Sequence, residues 1–160
     1  MTDGIRQADD DNPNGYFELE AVKRTKSDCT WLKQAVGKAV KVIYKLLYDL
    51  PEDCHYQVIL MRRPISEVIA SQSAMLERKG SPGATIPETR LAEIFSSQLD
   101  EAVHFLSVQP HFELLEVNYH DVLHEPLVVS EAVAQFLHRS LDLSAMASAV
   151  DTSLYRRKEK

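Results

Sequence analysis

The chain has 160 residues, a net charge of −6, 44% apolar residues and 26% charged residues, a balance that predicts one globular domain with a real core. The negative charge argues against general nucleic-acid binding, and no apolar run approaches the roughly 20 residues that cross a bilayer. An acidic N-terminus and two cysteines, Cys29 and Cys54, outside any CxxC spacing predict a cytoplasmic protein with reduced thiols.

Residues 1–15 read as a loop, because Asn12-Pro13 and Asn14-Gly15 concentrate turn chemistry after an acidic run. A short helix is expected over 16–26. Asp28 is a candidate cap for a second helix that carries Trp31. Residues 40–44 read as a strand and Leu50-Pro51-Glu52-Asp53 as a turn. The run Tyr56-Gln57-Val58-Ile59-Leu60-Met61 lacks strict alternation, which predicts a strand covered on both faces, as in a parallel sheet. Pro64 suits the first position of a helix over 64–79, with Ile65, Val68, Ile69, Met75 and Leu76 on one stripe and Gly80 as its stop.

Residues 80–87, with Gly80-Ser81-Pro82-Gly83, are expected to form a flexible loop. A long amphipathic helix is predicted over 88–108, with Leu91, Ile94, Phe95, Leu99, Val103 and Leu106 on one side and Pro110 beyond its end. Residues 112–117 read as a third strand. A further helix is expected over 127–141, with Val133, Phe136 and Leu137 inward. Strands alternating with helices predict an α/β fold with a mostly parallel sheet, in one domain over 1–160.

Chemistry concentrates where the 56–61 strand meets the next helix. Arg62 and Arg63 stand at the strand end and Pro64 opens the helix, so two guanidinium groups and a helix N-terminus converge. That combination suits a phosphate. The other basic clusters, Lys23-Arg24 with Lys26, Arg78-Lys79 and Arg156-Arg157-Lys158, read as solvated cations, those at helix C-termini favoured by the dipole.

The order Arg63, Glu67, Ser71 resembles the nucleotide-binding segment of sulfotransferases that use 3′-phosphoadenosine 5′-phosphosulfate (PAPS). In that family a strand ends in Arg, an acidic residue often follows four positions on, and a Ser follows at eight; the Arg and Ser hold the 3′-phosphate. Asp3-Gly4-Ile5-Arg6 and the run from Asn12 to Lys23 are similar to the segment after the first helix of bacterial sulfotransferase-like proteins. Val40-Lys41-Val42-Ile43 resembles their next strand, and Leu154-Tyr155-Arg156 their C-terminal end.

The resemblance implies a three-layer fold of the phosphate-loop type. It also implies PAPS as co-substrate, Arg63 and Ser71 as its 3′-phosphate ligands, and Arg62 as a neighbour that shares the phosphate or faces solvent. In complete form such a domain transfers sulfate to an acceptor hydroxyl or amine. The family opens with a strand and a Gly/Ser/Thr-rich loop that cradles the 5′-phosphosulfate, and none of Gly4, Gly15, Gly37, Gly80 and Gly83 sits in such a loop. The resemblance therefore implies an N-terminally truncated domain. A misplaced start, a degenerate gene, or a fold that closes the gap by rearrangement or dimerisation would each account for it. Losing a central strand leaves neighbouring edges open, which invites pairing with a second copy of the chain.

Sulfuryl transfer is an in-line displacement that needs cations on the phosphosulfate, an anchor for the 3′-phosphate and a base for the acceptor. The chain offers the anchor. For the base, Glu18 and Glu20 are candidates, because Gly15-Tyr16-Phe17-Glu18 resembles a segment near the acceptor; both also read as ordinary acids of a first helical turn. Arg63 itself has a plain alternative, an i,i+4 pair with Glu67 while Ser71 faces water. His120-Asp121-Val122-Leu123-His124 approximates a zinc helix. However, its acid is Asp, Pro126 follows at once and no third ligand stands out, so no metal is expected. Ser71 lacks the glycine-flanked elbow of a hydrolase nucleophile. The alternative from another class is a catalytically inactive module that binds a nucleotide or a protein partner, with the 88–108 helix as a contact surface.

Overall fold

A computed structural model describes residues 1–9, 12–78, 80 and 86–155. Lys79, residues 81–85 of the expected flexible loop and the basic run after Tyr155 lie outside the described residues. Backbone contacts divide the chain into two compact units, Met1–Cys54 and the residues from His55 onward. No helix among the described residues is long and apolar enough to cross a membrane.

The first unit is mostly irregular. It contains 3-10 turns at Glu20–Arg24 and Tyr44–Asp49 and one turn of α-helix, α1 (Leu32–Ala35). The helix expected over 16–26 is cut short because Phe17 has φ 51 and Leu19 is extended, neither compatible with a helical start before Glu20. The strand expected over 40–44 does not form. Ile43 has an extended backbone (φ −76, ψ 140), but its segment has no strand beside it among the described residues, and a strand exists only by pairing. Asp28 makes a local turn, accepting from the Thr30 amide at 2.9 Å, rather than capping α1. Tyr16, Val22, Trp31, Leu47 and Leu50 are the apolar residues this unit buries. Tyr16 is held at both ends, by the Arg6 guanidinium over its ring and by a 2.6 Å hydrogen bond to Asp9.

The second unit is α/β. Its elements are β1 (Tyr56–Arg62), α2 (Ile65–Arg78), α3 (Glu88–Val108), β2 (Phe112–Asn118), α4 (Tyr119–His124), α5 (Pro126–Phe136) and α6 (Leu143–Ser148). The two strands are parallel, in register from Tyr56 opposite Phe112 to Arg62 opposite Asn118. They are direct neighbours, with no strand between them, and α2 and α3 form the crossover that a parallel pair requires.

α2 begins directly after Pro64 and its described span ends at Arg78; Gly80, with φ 62, takes the left-handed conformation that glycine tolerates. The predicted α3 is observed over its full length. α5 starts with Pro126 at its first position and stops at Phe136, short of the expected residue 141, because His138 takes φ 51. Two short helices went unpredicted. Asn118 caps α4 by accepting from the His120 amide at 2.8 Å, and Asp142 caps α6 by accepting from the Ala145 amide at 2.9 Å.

One face of the sheet packs on α3, where Phe105 meets Phe112 at 5.9 Å between rings and Leu106 and Ala102 are each 1% exposed. On the other face α5 packs on β2, and Gln57 donates to the Phe136 carbonyl at 3.0 Å. β1 is not covered on both faces as its sequence predicted. Burial alternates along it, and Ile59 and Met61 are 39% and 47% exposed. The sheet has two strands among the described residues and α5 sits on the second, so these side chains remain uncovered. The Tyr56 amide donates to the His111 carbonyl on the β2 side, which turns the alternate amides of Gln57, Ile59 and Met61 toward the outer edge.

Candidate functional site

Because the strands are parallel, both carboxyl ends lie on one edge of the sheet, the edge where α/β folds place ligands. Arg63 follows β1 there, one residue before Pro64 and α2. Tyr119 and His120 follow β2 at the start of α4, a position fixed by the Asn118 cap. Asp151 accepts from the amide and hydroxyl of Ser153 at 2.9 and 2.6 Å, shaping a 3-10 turn, Thr152–Leu154, that delivers Tyr155 to the same place.

Glu67 is the centre of this cluster. Its side chain is 2% exposed, and both of its oxygens have hydrogen-bond partners. Arg63 Nε donates to Oε2 at 2.8 Å, and Tyr155 Oη donates to Oε1 at 2.6 Å. His120 Nε2 lies 3.0 Å from Oε1 and 3.0 Å from Tyr155 Oη. An ionised carboxylate only accepts, so the proton of the His120 contact sits on Nε2. The Arg63 guanidinium lies 4.7 Å from the centre of the Tyr119 ring and 5.7 Å from that of Tyr155.

The electrostatics follow from these contacts. Burial pushes the Glu67 carboxyl upward, but the hydrogen bonds from Tyr155, Arg63 and His120 outweigh it and leave the group below its ordinary value. The same carboxylate, receiving the phenol proton, pushes Tyr155 up to about 12, with burial adding to the effect. At neutral pH the cluster is therefore a carboxylate, a guanidinium and a neutral phenol.

The residues singled out in the sequence fall in different places. Glu67 and Ser71 lie one turn apart on the same stripe of α2, and Arg63, two residues before the helix, reaches back to Glu67. Ser71 is exposed, and Arg63 keeps 23% of its side-chain surface open. Arg62 goes elsewhere. Its Nε is 3.4 Å from Glu116 of β2 and its Nη2 is 3.9 Å from Asp100 of α3, so it neither faces solvent alone nor stands beside Arg63 on this cluster. Glu18 lies in the first unit, paired with Arg6 at 3.3 Å and Lys41 at 3.5 Å, the arrangement of a structural ion pair. Glu20 is paired with Lys23 at 2.7 Å.

His120 and His124 both direct a ring nitrogen at protein groups. His124 Nδ1 donates to the His120 carbonyl at 2.8 Å, while His120 serves Glu67. Among the described residues no group of three or more His, Cys, Asp or Glu side chains is placed to hold a metal. Beside the cluster lies a pocket of about 410 Å³, lined by Leu123, His124, Thr152 and Tyr155.

Sequence reasoning placed Arg63 and Glu67 together through their spacing, but it missed Tyr119 and Tyr155 and weighed His120 only as a metal ligand. Tyr155 stood in a segment noted for resemblance alone, and nothing local pairs it with a residue 88 positions away. Compared with known proteins, the chain matches no protein-family model, no curated protein and no solved structure.

Proposed function

We propose that the carboxyl edge of this sheet binds the 3′-phosphate of PAPS, with Arg63 and Ser71 as ligands, in a sulfotransferase-like domain of the three-layer phosphate-loop type. The observation that supports the reading is the setting of Arg63: it joins the end of a parallel strand to the start of a helix and holds Glu67, one turn before Ser71 on that helix. Glu67 takes only Nε. The donors on the terminal nitrogens are those a phosphate would meet, and the α2 N-terminus adds its dipole. Arg62 is tied to Glu116 and Asp100, so its part in the proposal is to hold the strand end rather than to touch phosphate.

A second reading rests on the same pair. The 2.8 Å contact to a carboxylate that is 2% exposed is also what a purely structural ion pair provides. The domain would then be an inactive module whose arginine supports the fold. Titration with adenosine 3′,5′-bisphosphate separates the two. Saturable binding to the wild type, weakened at least tenfold in Arg63→Ala, supports the nucleotide reading; identical traces for both proteins favour the structural one.

Transfer of sulfate belongs to this proposal only in part. It needs cations on the 5′-phosphosulfate and a base on the acceptor, roles that no residue of the described cluster is assigned. The partner in the proposal, besides the nucleotide, is a second copy of the chain. Among the described residues no strand pairs with the outer edge of β1, where the side chains of Ile59 and Met61 are exposed, and a two-fold axis at Ile59 would pair that edge with itself.

A further inference from the structure

Glu67 divides its two oxygens between different tasks. Oε2 faces the Arg63 guanidinium, whereas Oε1 is occupied by Tyr155 and His120. With 2% of its side chain exposed, the carboxylate cannot exchange these partners for water. Tyr119 adds a ring 4.7 Å from the guanidinium and Tyr155 another at 5.7 Å. The orientation of Arg63 is thus set by groups from three separated stretches of chain, at α2, at the start of α4 and at Tyr155.

We infer that Tyr155 and His120 are positioning residues: acting through Glu67, they fix the plane of the Arg63 guanidinium for a phosphate monoester on a ribose. The inference rests on the nucleotide reading of the site. Its physical basis is the fork geometry of arginine, which recognises phosphate through two parallel N–H groups and does so well only when its plane is held. An arginine held by Nε alone on a mobile carboxylate would sample many orientations. Here the carboxylate is locked from behind by a phenol and an imidazole, so the ordering is complete before the ligand arrives. Neither Tyr155 nor His120 needs to touch the ligand.

The test compares two nucleotides on four proteins, read by NMR titration so that millimolar affinities are measurable. Adenosine 3′,5′-bisphosphate and adenosine 5′-phosphate differ only in the 3′-phosphate. For the wild type, the bisphosphate is expected to bind more tightly. Tyr155→Phe is expected to weaken the bisphosphate by about three- to tenfold, less than the loss of a direct bond to a charged group because Tyr155 acts only through Glu67, while leaving the monophosphate unchanged. His120→Ala should behave like Tyr155→Phe, and His120→Gln, which keeps a donor for Oε1, should recover most of the preference. A merely structural role for the pair would shift both nucleotides together or neither. If Tyr155→Phe and His120→Ala keep the wild-type preference, the positioning role is overturned while the nucleotide reading stands. A wild type that shows no preference for the bisphosphate overturns both.

Discussion

Glu67 and Tyr155 are 88 residues apart in the chain and share a 2.6 Å hydrogen bond, with the phenol donating to a carboxylate that is almost wholly buried. The bond ties the last described residue to the first turn of α2. It also makes one carboxylate the meeting point of a strand end, a helix start and a C-terminal turn.

Removing that carboxylate should be costly. Glu67→Ala leaves Arg63, Tyr155 and His120 facing a cavity with no acceptor, a change expected to destabilise the second unit by about 3 kcal/mol. Glu67→Gln keeps one acceptor and should cost about half as much. Urea unfolding monitored by circular dichroism measures both. Losses under about 0.5 kcal/mol for Glu67→Ala would mean that the cluster is not assembled in solution.

The acid limb of stability carries the signature of the same group. Burial raises the Glu67 carboxyl, and the bonds from Tyr155, Arg63 and His120 lower it further than burial lifts it, to a net position below the ordinary 4.5. Between the lowered folded value and the unfolded one, the unfolded chain binds more protons. The contribution of Glu67 is therefore complete above the unfolded value and fades as pH falls through the folded one. The wild type should lose stability more steeply than Glu67→Gln below about pH 4.5. Parallel acid limbs would remove Glu67 from the account.

The outer edge of β1 gives a prediction about association. Ile59→Lys places a charge on a side chain that is already 39% exposed, so folding stability should change by under about 0.5 kcal/mol. Sedimentation velocity should find the wild type self-associating and Ile59→Lys monomeric. A wild type that stays monomeric at high concentration would end the proposal that two copies pair there.

Residues 1–160 alone are expected to show no sulfate transfer from PAPS to small hydroxyl or amine acceptors, because no lysine or arginine is assigned to the leaving-group oxygen. A labelled-sulfate assay checks this. Robust PAPS-dependent product would mean that cations of this chain do reach the leaving-group oxygen.

Legibility in the sequence varied with how local the signal was. α2 and α3 were readable almost to the residue, since Pro64, Gly80 and a long apolar stripe act within a few turns. Both strands of the sheet were found as well. The covering of β1 was misread because an apolar run cannot say how many strands lie beside it, and the exposed Ile59 and Met61 show the consequence. Residues 40–44 carry strand-forming side chains, but pairing is a long-range property and no partner lies beside them among the described residues. At the site, the spacing of Arg63 and Glu67 was legible. The contributions of His120 and Tyr155 were not, for they arise from tertiary placement by the Asn118 and Asp151 turns.

The most direct test of the central claim is a crystal structure with adenosine 3′,5′-bisphosphate bound. The account predicts 3′-phosphate oxygens at about 3 Å from the terminal nitrogens of Arg63 and from Ser71 Oγ, with Glu67 still bonded to Arg63 Nε and Tyr155. A nucleotide lodged elsewhere, or Arg63 turned wholly onto Glu67 with the phosphate out of its reach, would contradict it.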